Sequence, residues 1–148
     1  MGFDRTRQFL LALPHVEETL QWNAVVFWVA DKAVGGKMFA VLPAEPEPEG
    51  KGSQVLSFAV PHEAFDDLLE LEGVCPAPYL ARAHWVSLES WAAMPERALH
   101  THLLRAHDRI AAALPRKTQR LLEGTTREYR AAVRTARAGQ KSRRAGKA

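Results

Sequence analysis

The chain has 148 residues, which is the size of one domain with room for an additional arm. Hydrophobic residues make up 47% of it and charged residues 25%, and no apolar run reaches the roughly 18 residues of a transmembrane helix. The single cysteine, Cys75, excludes an intrachain disulfide bond and a multi-cysteine metal site. The N-terminus lacks the layout of a signal peptide, so we expect a cytoplasmic protein with no membrane partner.

The net charge of +3 is divided unevenly along the chain. Residues 1–96 hold 6 Lys and Arg against 14 Asp and Glu, a net charge of −8. Residues 97–148 hold 14 against 3, a net charge of +11. The basic isoelectric point therefore belongs to the C-terminal third alone.

Residue patterns predict one helix and four strands in the first half of the chain. The helix is predicted from Asp4, as its N-cap, to about Leu13, because Pro14 ends it. Gly35-Gly36 predicts a two-residue hairpin turn, since glycine adopts positive φ at little cost. β-branched and aromatic residues predict the strands, over residues 16–22, 25–29, 37–42 and 54–60.

The second half is predicted to hold three helices and one strand. Pro61 opens a helix that Gly73 ends. Pro76 and Pro78 cannot lie inside a helix or a central strand, so they predict a rigid extended segment that leads into a strand over residues 84–88. Apolar residues at helical spacing and Pro115 predict the last two helices of the body, over residues 95–114, the longest, and 116–123.

The order of these elements up to the long helix, α-β-β-β-β-α-β-α, predicts an α+β domain over residues 1–123. The expected architecture has two layers, an antiparallel sheet and helices packed on one face of it. Residues 124–148 are predicted to form a basic helical arm that ends in a flexible tail.

The arm begins with a capping box, Thr125-Thr126-Arg127-Glu128, which predicts a helix start. Basic residues then follow in steps of 3 and 4, which places five of them within an arc of about 80° on a helix: Arg127, Arg130, Arg134, Arg137 and Lys141. No large apolar face opposes them, so the row suits phosphates better than a membrane surface. The alternatives are a self-repelling tail that aids solubility and an arm that docks on the acidic body.

Several motifs together resemble one family: Leu13-Pro14 before Val16-Glu17-Glu18, Gly36 to Ala40, Pro76 to Leu80, Ala83-His84-Trp85, and Leu114-Pro115. Across about residues 3–122 the chain resembles the MmcQ/YjbR family of small bacterial proteins. The resemblance implies a secretion-chaperone-like α+β domain, also likened to a double-wing nucleic-acid-binding fold. It implies DNA binding and no established enzyme activity. The segment 22–35 is a few residues longer than the family pattern, and the arm after about Gly124 lies outside the family core.

The segment after the two prolines holds a candidate pocket or stacking site, formed by Tyr79, His84 and Trp85. Trp85 is suited to stacking on a base, and His84 and Arg82 to contacting phosphate. Alternatively, Trp85 anchors the sheet to the long helix of the body and His84 satisfies a local backbone group. The sequence leaves both interpretations open.

Metal binding and catalysis have little support in the sequence. His100 and His102 are two residues apart, so on a helix they point about 200° apart. Cys75 has no basic neighbour that would activate it, and a buried structural thiol is expected. No nucleophile motif or Gly-rich phosphate loop is present. We therefore expect no metal, no cofactor and no enzyme activity.

The sequence thus predicts a small binding protein that contacts DNA or RNA non-specifically through phosphates. The five cations of the arm are expected to carry affinity, with a contribution from the body by Arg82, Arg105 and Arg109. One alternative is a protein or peptide partner, including a second copy of the chain. The other is a small-molecule binder at Tyr79, His84 and Trp85 without a catalytic site.

Overall fold

The computed structural model describes residues 1–45 and 48–146, with side-chain surroundings up to residue 143. The described helices are α1 (Phe3–Leu11), α2 (His62–Leu69), α3 (Glu96–Ala113), α4 (Arg116–Glu123) and α5 (Thr126–Gly146). The described strands are β1 (Val16–Gln21), β2 (Ala24–Val29), β3 (Lys37–Pro43), β4 (Leu56–Ala59), β5 (Val74–Pro76) and β6 (Trp85–Leu88). Short 3₁₀ turns span Lys32–Val34, Ala81–Ala83 and Trp91–Ala93.

The six strands form one antiparallel sheet in the order β1-β2-β3-β4-β6-β5, which confirms the predicted α+β class. The predicted order of elements lacked β5, whose last residue is Pro76. Pro76 pairs with Val86 of β6. Proline is tolerated here because β5 lies at the edge of the sheet. The open side of an edge strand has no neighbouring strand to which a backbone N–H would donate.

Helices α1, α2 and α3 share one hydrophobic core with the sheet. Phe9 of α1 stacks on His100 of α3, with ring centroids 4.1 Å apart. Phe58 of β4 lies beneath α3, 6.3 Å from the ring of His102. The core of this layer also holds Leu68 of α2 and Leu99, Leu103 and Ala106 of α3.

The opposite face of the sheet follows from strand alternation. Phe58 points toward α3, so its neighbour Ser57 points the other way. Ser57 pairs with Val41 of β3 and with Ser87 of β6, which therefore face the same side. The hydroxyls of Ser57 and Ser87 are hydrogen-bonded at 2.6 Å, which satisfies two buried polar groups.

Two turns differ from the prediction. The two-residue hairpin expected at Gly35-Gly36 is wrong, since a 3₁₀ turn over Lys32–Val34 precedes these glycines. Gly35 ends that turn with φ of 92°, and a Cβ at Gly36 would overlap the carbonyl oxygen of Ala30. The two-residue hairpin lies instead at Trp22-Asn23, between β1 and β2, with φ of 53° and 54°. No glycine marks this turn in the sequence, so the residue pattern predicts a first strand that continues to residue 22.

The arm is helical as predicted. The Thr125 hydroxyl accepts from the backbone N–H of Glu128 at 3.1 Å, which is the first half of the capping box. At 21 residues α5 is longer than α3, which has 18 and was expected to be the longest. Helix α1 begins at Phe3 with Gly2 as its N-cap, two positions before the predicted N-cap Asp4. Helix α5 covers most of the predicted flexible tail, and residues 147–148 lie outside the described residues.

Candidate binding surfaces

Helix α5 is docked on the body through two acidic residues. The Tyr129 hydroxyl accepts from the Asp31 backbone N–H at 2.7 Å and donates to a carboxylate oxygen of Glu17 at 3.0 Å. One turn later Val133 is buried, and Arg137 forms an ion pair with the Asp31 carboxylate. These contacts extend over about two turns of the helix, so residues 129–137 of α5 are held against the body.

The Tyr129 hydroxyl is held in its protonated form. Burial raises its pKa well above the ordinary value, and the nearby Glu17 and Asp31 carboxylates raise it further. The Asp31 N–H donates to the hydroxyl oxygen and opposes this shift. The protonated hydroxyl can therefore act as donor to Glu17 and acceptor from Asp31 at once.

One cation of the basic row on α5 is ion-paired within the fold, and the others are exposed. Arg127, Arg130, Arg134 and Lys141 are exposed, and none of them forms an ion pair with another residue that the structure describes. Arg137 differs, since its guanidinium is bound to Asp31. The two arginines of α1 are neutralised, Arg5 by Glu96 and Arg7 by Glu18. Four cations of the predicted row are thus left without a counter-charge within the described chain.

The three body cations lie on other elements. Arg82 is exposed on the 3₁₀ turn Ala81–Ala83, and Arg105 and Arg109 are exposed on α3. The eight predicted cations are therefore distributed over three elements. Sequence analysis also missed two cations that flank Arg137. Lys32 and Arg143 line a surface cleft of about 410 Å³ with Arg137 and Asp31, because the 3₁₀ turn after β2 meets α5 there.

A second surface lies on the sheet face opposite α3. A cleft of about 760 Å³ has an apolar floor that includes Ala24, Met38 and Val41. Trp22 of the β1–β2 turn and Tyr79 of the segment after β5 line the same cleft. The volume falls within the range typical of small-molecule sites.

The two aromatic residues of this cleft are unusually exposed. Trp22 is 71% exposed and Tyr79 fully exposed. Both have left-handed backbone conformations, with φ of 53° for Trp22 and 65° for Tyr79. The turn at Tyr79 is closed by a bond from Leu80 N–H to the Ala77 carbonyl at 3.1 Å. Neither side chain is explained by packing.

The predicted site at Tyr79, His84 and Trp85 does not come together as one pocket. Trp85 is only 4% exposed and belongs to the hydrophobic core, so its ring faces are closed to a base. His84 Nε2 lies 2.7 Å from Nδ1 of His62, and its ring meets Phe65 edge-on. Of the three predicted residues only Tyr79 lines the large cleft. Trp85 pairs with Ala59, the residue after Phe58, so strand alternation places its side chain on the sheet face opposite α3 and does not support the interpretation that it anchors the sheet to that helix.

Within residues 1–45 and 48–146, no group of three or more His, Cys, Asp or Glu could hold a metal ion. The Cys75 thiol lies 3.7 Å from the Ser87 carbonyl oxygen, to which it donates. Burial raises the pKa of this thiol, and Glu89 adds to the shift. Among the helices of the described chain, none combines the length and the apolar character that crossing a membrane requires.

A family model and a solved structure both match this chain. The YjbR family model matches residues 11–109, which is more than half of the chain. The chain belongs to the YjbR family. A crystal structure of the Deinococcus radiodurans protein DR2400, of family domain DUF419, is similar in fold, with a TM-score of 0.65 and 20% sequence identity. That similarity covers 88% of this chain and 87% of the Deinococcus protein. A search of curated proteins finds no match.

The segment matched by the YjbR family model contains one of the two surfaces and not the other. The aromatic cleft, with Trp22, Met38 and Tyr79, lies inside the matched segment. Helix α5 lies beyond its end, as do α4 and its basic residues. The basic row thus lies outside the matched YjbR segment, and its function is argued from its own geometry.

Proposed function

We propose that this YjbR-family protein is a cytoplasmic binding protein that contacts DNA or RNA non-specifically through phosphates, and that it is not an enzyme. The proposal rests on one observation. The exposed cations Arg127, Arg130, Arg134 and Lys141 occupy one side of a docked helix and lack counter-charges within the described chain. Like charges three and four residues apart repel each other along the helix. A polyanion relieves that repulsion.

The geometry of the row suits a phosphate backbone. Residues 127–141 span about 21 Å along the helix axis at 1.5 Å per residue. Tyr129 and Val133 hold the first half of this span against the body, so the guanidinium groups are presented from a rigid support. Pre-organisation of this kind lowers the entropy that binding must overcome.

Arg137 has a different role from its neighbours in the row. Its ion pair with Asp31 positions the helix, so Arg127, Arg130, Arg134 and Lys141 are assigned the phosphate contacts. The net charge of −8 over residues 1–96 repels a polyanion from most of the body. Contact is therefore one-sided, which favours backbone contacts over reading of bases.

The test is a salt series of binding to a short mixed-sequence DNA duplex and to RNA. The triple variant Arg127→Gln, Arg130→Gln and Arg134→Gln removes three cations but keeps good helix formers. On duplex DNA, log affinity against log salt should become less steep by about 2.7, because each phosphate contact contributes about 0.9. The matched control is the triple variant Lys37→Gln, Lys51→Gln and Arg97→Gln, which has the same net charge and alters exposed positions only.

An equal change of slope in both triple variants would show that total charge, not the α5 row, governs binding. Binding that is lost only in a variant of Arg82, Arg105 and Arg109 would move the site to the body. Absence of binding at low salt by the unmodified chain would contradict the proposal and leave a protein or peptide partner, or a second copy of the chain, as the alternative.

A further inference from the structure

Two exposed aromatic residues occupy backbone positions that ordinarily require glycine or asparagine. Trp22 is the first residue of a two-residue hairpin turn in which both φ values are positive, a type I′ turn. Tyr79 follows Pro78 in a four-residue turn closed by Leu80, and it alone of the two central residues has positive φ, which is the pattern of a type II turn. Both positions favour a residue without a bulky side chain.

Packing does not compensate for this strain. Trp22 is 71% exposed and Tyr79 is fully exposed, so neither ring contributes its area to the core. Residues with strained backbone conformations tend to persist where function requires them. Trp22 and Tyr79 both place a large ring at a turn position that favours glycine, so both depart from the usual choice of turn residue. The two turns are far apart in the sequence and at different places in the sheet, yet both rings line one cleft.

The chemistry of the cleft indicates the sign of its ligand's charge. Its floor is apolar, and neutral polar groups are supplied by Asn23, Gln54 and Ser57. Glu45 is the one acidic residue among the described lining residues, which include no Lys, Arg or His. An anionic ligand would meet a carboxylate and no counter-charge. A cation would meet that carboxylate and the negative ring faces of Trp22 and Tyr79.

We propose that this cleft binds a small organic cation with a planar, apolar body. The apolar body lies on Met38 and Val41, Trp22 and Tyr79 supply ring faces to the planar cation, and Glu45 supplies the neutralising carboxylate. This site is separate from the phosphate-binding row on α5 and has the opposite preference for charge. A nucleotide does not suit it, since the described lining residues include no cation that could hold the phosphate.

The test uses three probes that share one ring system and differ in charge. N-methylquinolinium is a cation, quinoline is neutral at pH 8, and quinoline-2-carboxylate is an anion. Binding of each to the isotope-labelled full chain is followed by backbone amide chemical shifts at millimolar probe concentration. The cation should shift amides of the cleft, such as those of Met38 and Val41, with the highest affinity. The neutral probe should bind about five-fold more weakly and the anion should not bind.

Variants separate the rings from the carboxylate. Trp22→Gly and Tyr79→Gly suit the turn backbone, and each should weaken the cation about five-fold. Glu45→Gln should weaken the cation and leave the neutral quinoline unchanged. The control is Leu20→Ser, which removes an apolar side chain that is 74% exposed on the neighbouring strand and does not line the cleft. It should leave all three affinities unchanged.

Any of four results without nucleic acid, or a fifth with an oligonucleotide, would overturn the proposal. With the probes, these are binding of the anion as tight as that of the cation, and no shift of cleft amides with any probe. With the variants, it is a loss of binding in Leu20→Ser equal to that in Trp22→Gly. Without any probe, it is a shift of the same amides with protein concentration alone. The last result would make the cleft a contact between copies of the chain. A single-stranded oligonucleotide that shifts these amides more than the cation would join the cleft to the nucleic-acid surface and equally contradict the assignment.

Discussion

The guanidinium of Arg137 is bound to the carboxylate of Asp31, which lies 106 positions earlier in the chain. Asp31 also holds the same helix through its backbone N–H, which donates to the Tyr129 hydroxyl. Asp31 therefore holds the basic arm at two positions, and Glu17 adds a third contact through the Tyr129 hydroxyl. The ion pair removes one cation from the row that is otherwise open to a polyanion.

The change Asp31→Asn tests this division of roles. It keeps an oxygen that can accept from the Ala33 N–H but removes the charge that binds Arg137. The released guanidinium should add one phosphate contact, so log affinity for duplex DNA should fall with log salt about 0.9 more steeply. Asp108→Asn makes the same change of charge at an exposed carboxylate of α3 and is the control. Equal slopes in the two variants would contradict the account.

The stability contributed by the ion pair itself should be small. The Arg137 side chain is 65% exposed, so water and salt screen its interaction with Asp31. A double-mutant cycle with Asp31→Ala and Arg137→Ala should give a coupling free energy of about 1 kcal/mol or less. Urea denaturation at low and high salt measures it, and a coupling that grows with salt would be inconsistent with an ion pair.

Tyr129→Phe should lower the free energy of unfolding more than the loss of a single oxygen atom suggests. The change removes one oxygen atom but leaves the Asp31 N–H without its acceptor and Glu17 without its donor. A buried unsatisfied group costs about 1–3 kcal/mol, so the free energy of unfolding should fall by that amount. Tyr79→Phe is the control, because the Tyr79 side chain is fully exposed. Equal denaturation midpoints in the two variants would show that the Tyr129 hydroxyl bonds do not stabilise the docked helix.

The raised pKa of Tyr129 makes stability depend on pH at the alkaline end. The unfolded chain releases this proton near the ordinary value of about 10, while the folded chain retains it to higher pH. Above that pH the unfolded state binds fewer protons than the native state, so the free energy of unfolding falls as pH rises. The contribution of the Tyr129 proton to the free energy of unfolding is therefore fully present below about pH 10 and is lost as the pH rises above it. Denaturation midpoints between pH 8 and 11 should fall less steeply in Tyr129→Phe than in the unmodified chain.

Much of the fold could be predicted because local patterns determine it. The β-branched run over residues 25–29 and the apolar repeat of α3 each identify an element without reference to the rest of the chain. Pro76 was misleading for a physical reason. Proline is excluded only from central strands, and no local pattern tells that β5 would be placed at the edge.

The surfaces were less predictable because they depend on contacts between distant residues. Helical spacing identified the side of α5 that carries the cations, yet it could not reveal that Asp31 meets Arg137. Trp85 and Trp22 show the same limit. The aromatic residue of the strand pattern is buried, while the one at a turn lines the cleft. Sheet order decides burial, and the sequence alone does not give that order.

Trp22 allows a direct test of strain. Trp22→Gly and Trp22→Ala both remove the indole, but only glycine adopts a φ of 53° without steric cost. The glycine variant should be more stable than the alanine variant by roughly 0.5–1 kcal/mol, and no less stable than the unmodified chain. Thermal denaturation of the three proteins measures this. Equal destabilisation by both changes would mean that the indole stabilises the sheet through packing. A stable glycine variant that loses affinity for the organic cation would instead identify Trp22 as a binding residue retained at the expense of stability.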